Sequence, residues 1–180
     1  MSKPNPVVIV DVLGECVTAT QNAILADLQT YDPFIEQINY QYGPPLEIYE
    51  TLAQMSGIDQ GRKYPLIAVF QPFIQQKGRL TGIDSIAKLR IIIARWRNQT
   101  DKTPQRYDEN FKPILYKVYA ELLYQISVHK AIASPTWEKI PHDYKDWPYW
   151  DNDGKNPIVD CADIIELSNL ELNFRFRNCF

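Results

Sequence analysis

Lys63-Tyr64-Pro65-Leu66-Ile67-Ala68-Val69-Phe70, a polar turn around Gly78 and Gly82, then Leu89-Arg90-Ile91-Ile92-Ile93-Ala94-Arg95-Trp96: this stretch decides how the chain is read. Both arms are short apolar runs rich in β-branched and aromatic residues, and Gly and Pro bound them. Runs of this length do not hold as lone helices in water. They read as two strands of a long, twisted hairpin whose inner part is covered on both faces.

Upstream of this centre, Asn5-Pro6 has the form of a helix cap and first turn. Val8/Ile9, Val12/Leu13, Cys16, Ile24 and Leu28 then recur at three- and four-residue steps, which predicts one apolar helix face. Val7 to Val12 is also compatible with a strand. Phe34 to Tyr42 alternates loosely and reads as a strand ending at Gly43; Pro44-Pro45 cannot continue a ladder, because neither donates an N–H. Leu46, Ile48, Tyr49, Leu52 and Met55 outline a short amphipathic helix ended by Gly57.

Downstream of Trp96, residues 98–105 read as a polar linker. A long helix is expected over 108–130, capped by Asp108 or Asn110, with Pro113 in its first turn. Phe111, Ile114/Leu115, Val118, Leu122 and Ile126 form its apolar stripe, Lys112, Lys117 and Glu121 its wet face. Tyr116, Tyr119 and Tyr124 flank the stripe and are expected to pack on the sheet with their hydroxyls at its rim. The last segment, 162–176, alternates as a long strand: Leu170, Leu172, Phe174 and Phe176 share one parity, Ile165 and Leu167 the other. A bulge at Ser168-Asn169 reconciles the two halves on one face. The fold class that follows is α+β: a mainly antiparallel sheet with a central hairpin, one long helix packed across it, an N-terminal helix and a long aromatic loop.

The bulk numbers set bounds. A chain of 180 residues with 45% apolar and 23% charged side chains suits one domain with its own core. Within it we distinguish an N-terminal helical segment (6–30), an α/β core (34–130 and 158–177) and an elaborated loop (133–157). The net charge of −3 shows no basic stripe of the kind that grips nucleic-acid phosphates. Cys16, Cys161 and Cys179 are an odd set without CxxC spacing, as expected of reduced thiols. No run approaches the roughly 20 apolar residues of a membrane span, and no signal peptide is read at the N-terminus.

No stretch states a chemistry. Asp151-Asn152-Asp153-Gly154 has the look of a calcium loop, but tyrosine at 149, aspartate at 160 and Pro157 break the pattern, so an ordinary turn is the better reading. His129 and His142 form no HxxxH pair, and His129 suits a helix C-terminus, where a cation complements the dipole. Nucleophile elbow, phosphate loop and dinucleotide fingerprint are all missing from the sequence, so no catalytic residue, cofactor or metal is expected. The informative feature is the 133–157 segment. It carries Trp137, Trp147, Tyr149 and Trp150 where a solvent loop would be polar. Such side chains concentrate where one protein anchors on another. These four are the candidate partner interface; the plainer alternative is that they roof the domain's own core.

The order helix, strand, short helix, hairpin, long helix, final strand resembles the tail-terminator and tail-completion (head–tail connector) proteins of tailed bacteriophages. The segments that carry the resemblance are 63–70, Ile91-Ile92-Ile93-Ala94, Phe111-Lys112-Pro113-Ile114-Leu115-Tyr116 and Ile164-Ile165-Glu166-Leu167-Ser168-Asn169-Leu170-Glu171-Leu172. The resemblance spans roughly residues 34 to 176 and rests on packing motifs. It implies a non-enzymatic virion subunit in a homo-oligomeric ring of six- or twelve-fold order. Such a ring contacts neighbouring virion proteins, with DNA only as passing cargo. Two alternatives belong to other classes: a small soluble enzyme with a site under the 137–150 loop, and a monomeric protein-binding adaptor.

Overall fold

The computed structural model describes residues 8–55, 60–77, 85–98, 100–133, 142–147 and 161–175. At its centre is the expected hairpin. β2 (Leu66–Phe70) and β4 (Ser85–Trp96) pair antiparallel, with Leu66 opposite Ala94 and Val69 opposite Ile91. β3 (Ile74–Lys77) extends the hairpin along the first residues of β4. On its other side β4 is paired over its whole length by β7 (Ala162–Phe174). β1 (Asn39–Gly43) adds to β2 in parallel. A parallel neighbour needs a crossover, which α2 (Pro45–Gln54) and α3 (Gln60–Lys63) provide. The strand expected over 34–42 is thus confined to its second half, because Pro33 and the turn at 32–35 hold the chain away from the sheet.

The parity change in β7 has the expected cause. Leu167 faces Ile91 and Leu170 faces Leu89, so two residues of β7 stand opposite one of β4. Asn169, at φ 56°, takes the left-handed conformation that the extra residue requires. Ile165 and Leu167 before the bulge and Leu170, Leu172 and Phe174 after it therefore all join one core.

That core lies between the sheet and two helices. α1 (Ile9–Tyr31) contributes Ile9, Val12, Leu13, Cys16, Val17 and Leu28, which decides between helix and strand for the start of the chain. Its first turn begins after Val8; the expected cap at Asn5-Pro6 lies outside the described residues. Gly14 lets the Tyr40 ring approach, since a Cβ there would stand 3.3 Å from Tyr40 Cε1. The opposite sheet face carries Leu66, Ala68, Phe70, Ile92, Ala94 and Ile164, covered by Ile48 and Leu52 of α2. The hairpin is buried on both faces, as its continuous apolar arms require.

The long helix differs from expectation at its start. It begins at Thr103, with α4 (Thr103–Arg106) running into a π-helical segment (Tyr107–Leu115) and then α5 (Tyr116–Val128). The last three residues of the supposed linker are helix, Gln105 reaches back to the Lys102 N–H, and Asp108 and Asn110 are interior residues, not caps. Pro113 sits mid-helix, where it lacks the N–H of an ordinary turn and its ring crowds the preceding turn. The wider π winding relieves that crowding, and the Tyr116 N–H closes on the Phe111 carbonyl five residues back. Ile114, Leu115, Val118 and Leu122 are buried as expected. Tyr116 and Tyr119 pack on the core, but Tyr124 is exposed. Lys117 meets Asp27 of α1, so the supposed wet face of α5 partly faces α1.

The 133–157 segment is also not wholly irregular. β5 (Ile132–Ala133) pairs with the end of β7, and β6 (His142–Trp147) pairs antiparallel with its first half. Neither strand shows the uninterrupted apolar run or regular alternation by which strands are recognised. No helix among the described residues is long and apolar enough to cross a membrane.

Candidate functional site

β6 lies at an edge of the sheet and, among the described residues, pairs only with β7. Its register sets Tyr144 opposite Ile165, on the face covered by the long helix. Tyr144 there meets Phe111 edge-on at 5.8 Å and Tyr116 at 5.6 Å between centroids, and Tyr107 continues the group at 6.1 Å from Tyr116. Edge-to-face packing is the favourable arrangement for such rings. Tyr107 and Tyr144 remain about half exposed, at 48% and 50%. A hydrogen bond with Tyr144, and secondarily burial, raise the Tyr116 hydroxyl above the usual phenol range. The result is an aromatic patch on one flank, shared between the π-helical segment, α5 and β6.

Of the four aromatic residues chosen from sequence, the backbone of Trp147 ends β6 opposite Ala162. Trp137, Tyr149 and Trp150 lie outside the described residues, as does the Asp151–Gly154 turn. The patch that is seen is built instead from Tyr107, Phe111, Tyr116 and Tyr144. Sequence reading placed Phe111 and Tyr116 on or beside the helical stripe and gave Tyr107 and Tyr144 no role. The unrecognised π winding and β6 are what bring the four together.

A second feature lies at the carboxyl end of β4. Asp163 is fully buried within an apolar stretch of β7. Its Oδ1 accepts from Arg106 Nε at 2.7 Å and is ion-paired with Arg106 Nη2 at 2.6 Å, and its Oδ2 accepts from Asn110 Nδ2 at 2.8 Å. Arg97 Nε stands 3.6 Å away. A buried carboxylate needs such partners, and here they tie the start of the long helix to the sheet. Beside it, Arg95 pairs with Asp32 at the end of α1. Burial lowers the Arg95 guanidinium to about 10. These residues border an open cleft of about 380 Å³, with Trp96 and Ile114 in its walls and Asp101, Asp108 and Glu109 among its acids. The signal in the sequence was a charged residue set in apolar strand: Asp163 between Ala162 and Ile164, Arg95 after Ala94.

His129 pairs with Glu15 across the helices, its Nε2 3.0 Å from the carboxylate, and caps α5 as expected. Cys16 is buried, and desolvation with the nearby Glu15 charge pushes its thiol up to about 12. Among the described residues no group of three His, Cys, Asp or Glu side chains is placed to hold a metal ion. No protein-family model matches the chain, and no curated protein matches it.

Proposed function

We propose that this chain is a structural assembly subunit, and that the resemblance in its element order points to a ring-forming head–tail connector or tail terminator of a tailed phage. The observation that supports assembly most directly is the aromatic patch in which half-exposed Tyr107 and Tyr144 pack with Tyr116 and the buried Phe111 on the flank of β6. Half-exposed aromatic side chains offer anchors of the kind that suit docking by a second copy. In a ring, that flank meets a different surface of the next subunit, and repetition of the contact closes the circle. The alternative of an enzyme under the 137–150 loop predicts a pocket lined from that loop, most of which lies outside the described residues.

The test is Tyr144→Glu, which sets a charge in the patch at a half-exposed position and therefore perturbs folding little. The variant is expected to keep the wild-type circular dichroism spectrum and to form no rings under negative-stain microscopy where the wild type does. A variant that still forms rings removes this flank from the joint. A wild type that stays monomeric in every preparation removes the assembly reading itself.

A further inference from the structure

The Arg95–Asp32 pair is incomplete in a way that identifies a ligand class. A guanidinium presents Nε–H and one Nη–H as a side-on fork that matches the two oxygens of a carboxylate. Asp32 fills only half of this fork. Its Oδ2 meets Arg95 Nη2, while its Oδ1 is committed to the Phe34 N–H at 3.0 Å. Arg95 Nε is left buried without an acceptor, on a side chain only 9% exposed. Arg97 Nε, on a side chain 10% exposed, has no hydrogen-bond partner either. Buried donors without acceptors are rare in folded proteins and cost stability. Both arginines line the same open cleft.

We propose that this cleft binds a carboxylate, which displaces Asp32 from Arg95 and fills the Nε–Nη2 fork with both oxygens. The acids Asp101, Asp108 and Glu109 around the cleft select against multiply charged anions such as phosphate. They favour a carboxylate that carries an ammonium group nearby. The cleft is distinct from the aromatic patch, because no residue of the patch lines it.

The experiment follows the arginine Nε–Hε resonances of the whole chain by ¹⁵N–¹H correlation during titration with sodium acetate, with sodium chloride at matched ionic strength as control. The expected result is a saturable shift of the Arg95 signal with acetate and none with chloride. Glycine is expected to bind more tightly than acetate, and phosphate more weakly. Asp32→Asn removes the competing charge and keeps an oxygen for Phe34, and should tighten acetate binding by about tenfold. Arg95→Lys keeps the charge, loses the fork and should abolish the response. Should that variant fail to fold, the opposite shifts in affinity of Asp32→Asn and of phosphate still decide. Absence of a saturable shift in both wild type and Asp32→Asn overturns the proposal, as does equal response to chloride or tighter binding of phosphate. Sedimentation in acetate separates two sources of the natural ligand. A fall in particle mass points to a carboxylate from a neighbouring copy, an unchanged mass to a small molecule.

Discussion

Replacing Asp163 by alanine asks whether the start of the long helix is held to the sheet by one carboxylate. The side chain has no exposure, accepts hydrogen bonds from Arg106 Nε and Asn110 Nδ2, and is ion-paired with Arg106 Nη2. Without it, Arg97 and Arg106, 10% and 14% exposed, keep their charges with no carboxylate between them. Breaking a buried pair from one side costs about 3–5 kcal/mol, because the remaining charge stays desolvated. The slight exposure of both arginines places the cost near the lower end. Arg106→Ala should cost less, since Asp163 retains Asn110 and the nearby Arg97. The two changes should not add: a coupling of about 1–3 kcal/mol is expected for groups in direct contact. Urea unfolding followed by circular dichroism and tryptophan fluorescence measures all four corners of the cycle. With a slope of about 1–3 kcal/mol/M, Asp163→Ala should lower the midpoint by at least about 1 M. A loss within about 0.5 kcal/mol, typical of surface changes, or strict additivity with Arg106→Ala, refutes the reasoning.

Three further outcomes follow from the fold. Leu122, 1% exposed in the core between α5 and the sheet, should cost about 2–5 kcal/mol on truncation to alanine in the same denaturation assay, through lost transfer energy and a residual cavity. Asn169→Val sets a β-branched side chain at φ 56° and should destabilise by about 1–2 kcal/mol; an unchanged midpoint would mean the bulge is not held in that conformation. Cys16, its thiol raised to about 12 mainly by burial, should resist iodoacetamide at pH 8 in the native protein and react once unfolded. Reactivity follows the thiolate, so any native labelling should rise with pH toward that value; mass mapping of the labelled peptide reads it directly.

The hairpin, the bulge and the two helices were legible because apolar periodicity reports burial, and burial dictates all three. The bulge shows this best: a change of parity at Ser168-Asn169, with both halves apolar, has few other solutions on one sheet face. Asn169 is also a residue that tolerates the left-handed conformation. The helix start at Thr103 was hidden because 98–105 is polar throughout, so no stripe marks it; the first turns are held by polar contacts of Arg106 and Asn110 to Asp163, which lies 57 and 53 residues away in sequence. β6 was hidden for the opposite reason. An edge strand paired on one side needs no alternation, and His142-Asp143-Tyr144-Lys145-Asp146-Trp147 has none that could be trusted. The aromatic patch inherits both gaps. The Arg95 fork could not be read from sequence at all, because its incompleteness depends on the turn that commits Asp32 to Phe34.

We propose that the flank formed by β6 and the aromatic patch joins copies of this chain. Sedimentation velocity of the wild type and of Tyr144→Glu over a wide range of concentration tests it most directly. A discrete closed oligomer is expected for the wild type and a folded monomer for the variant. A wild type that sediments as a monomer throughout, or a variant indistinguishable from it in mass, would contradict the claim.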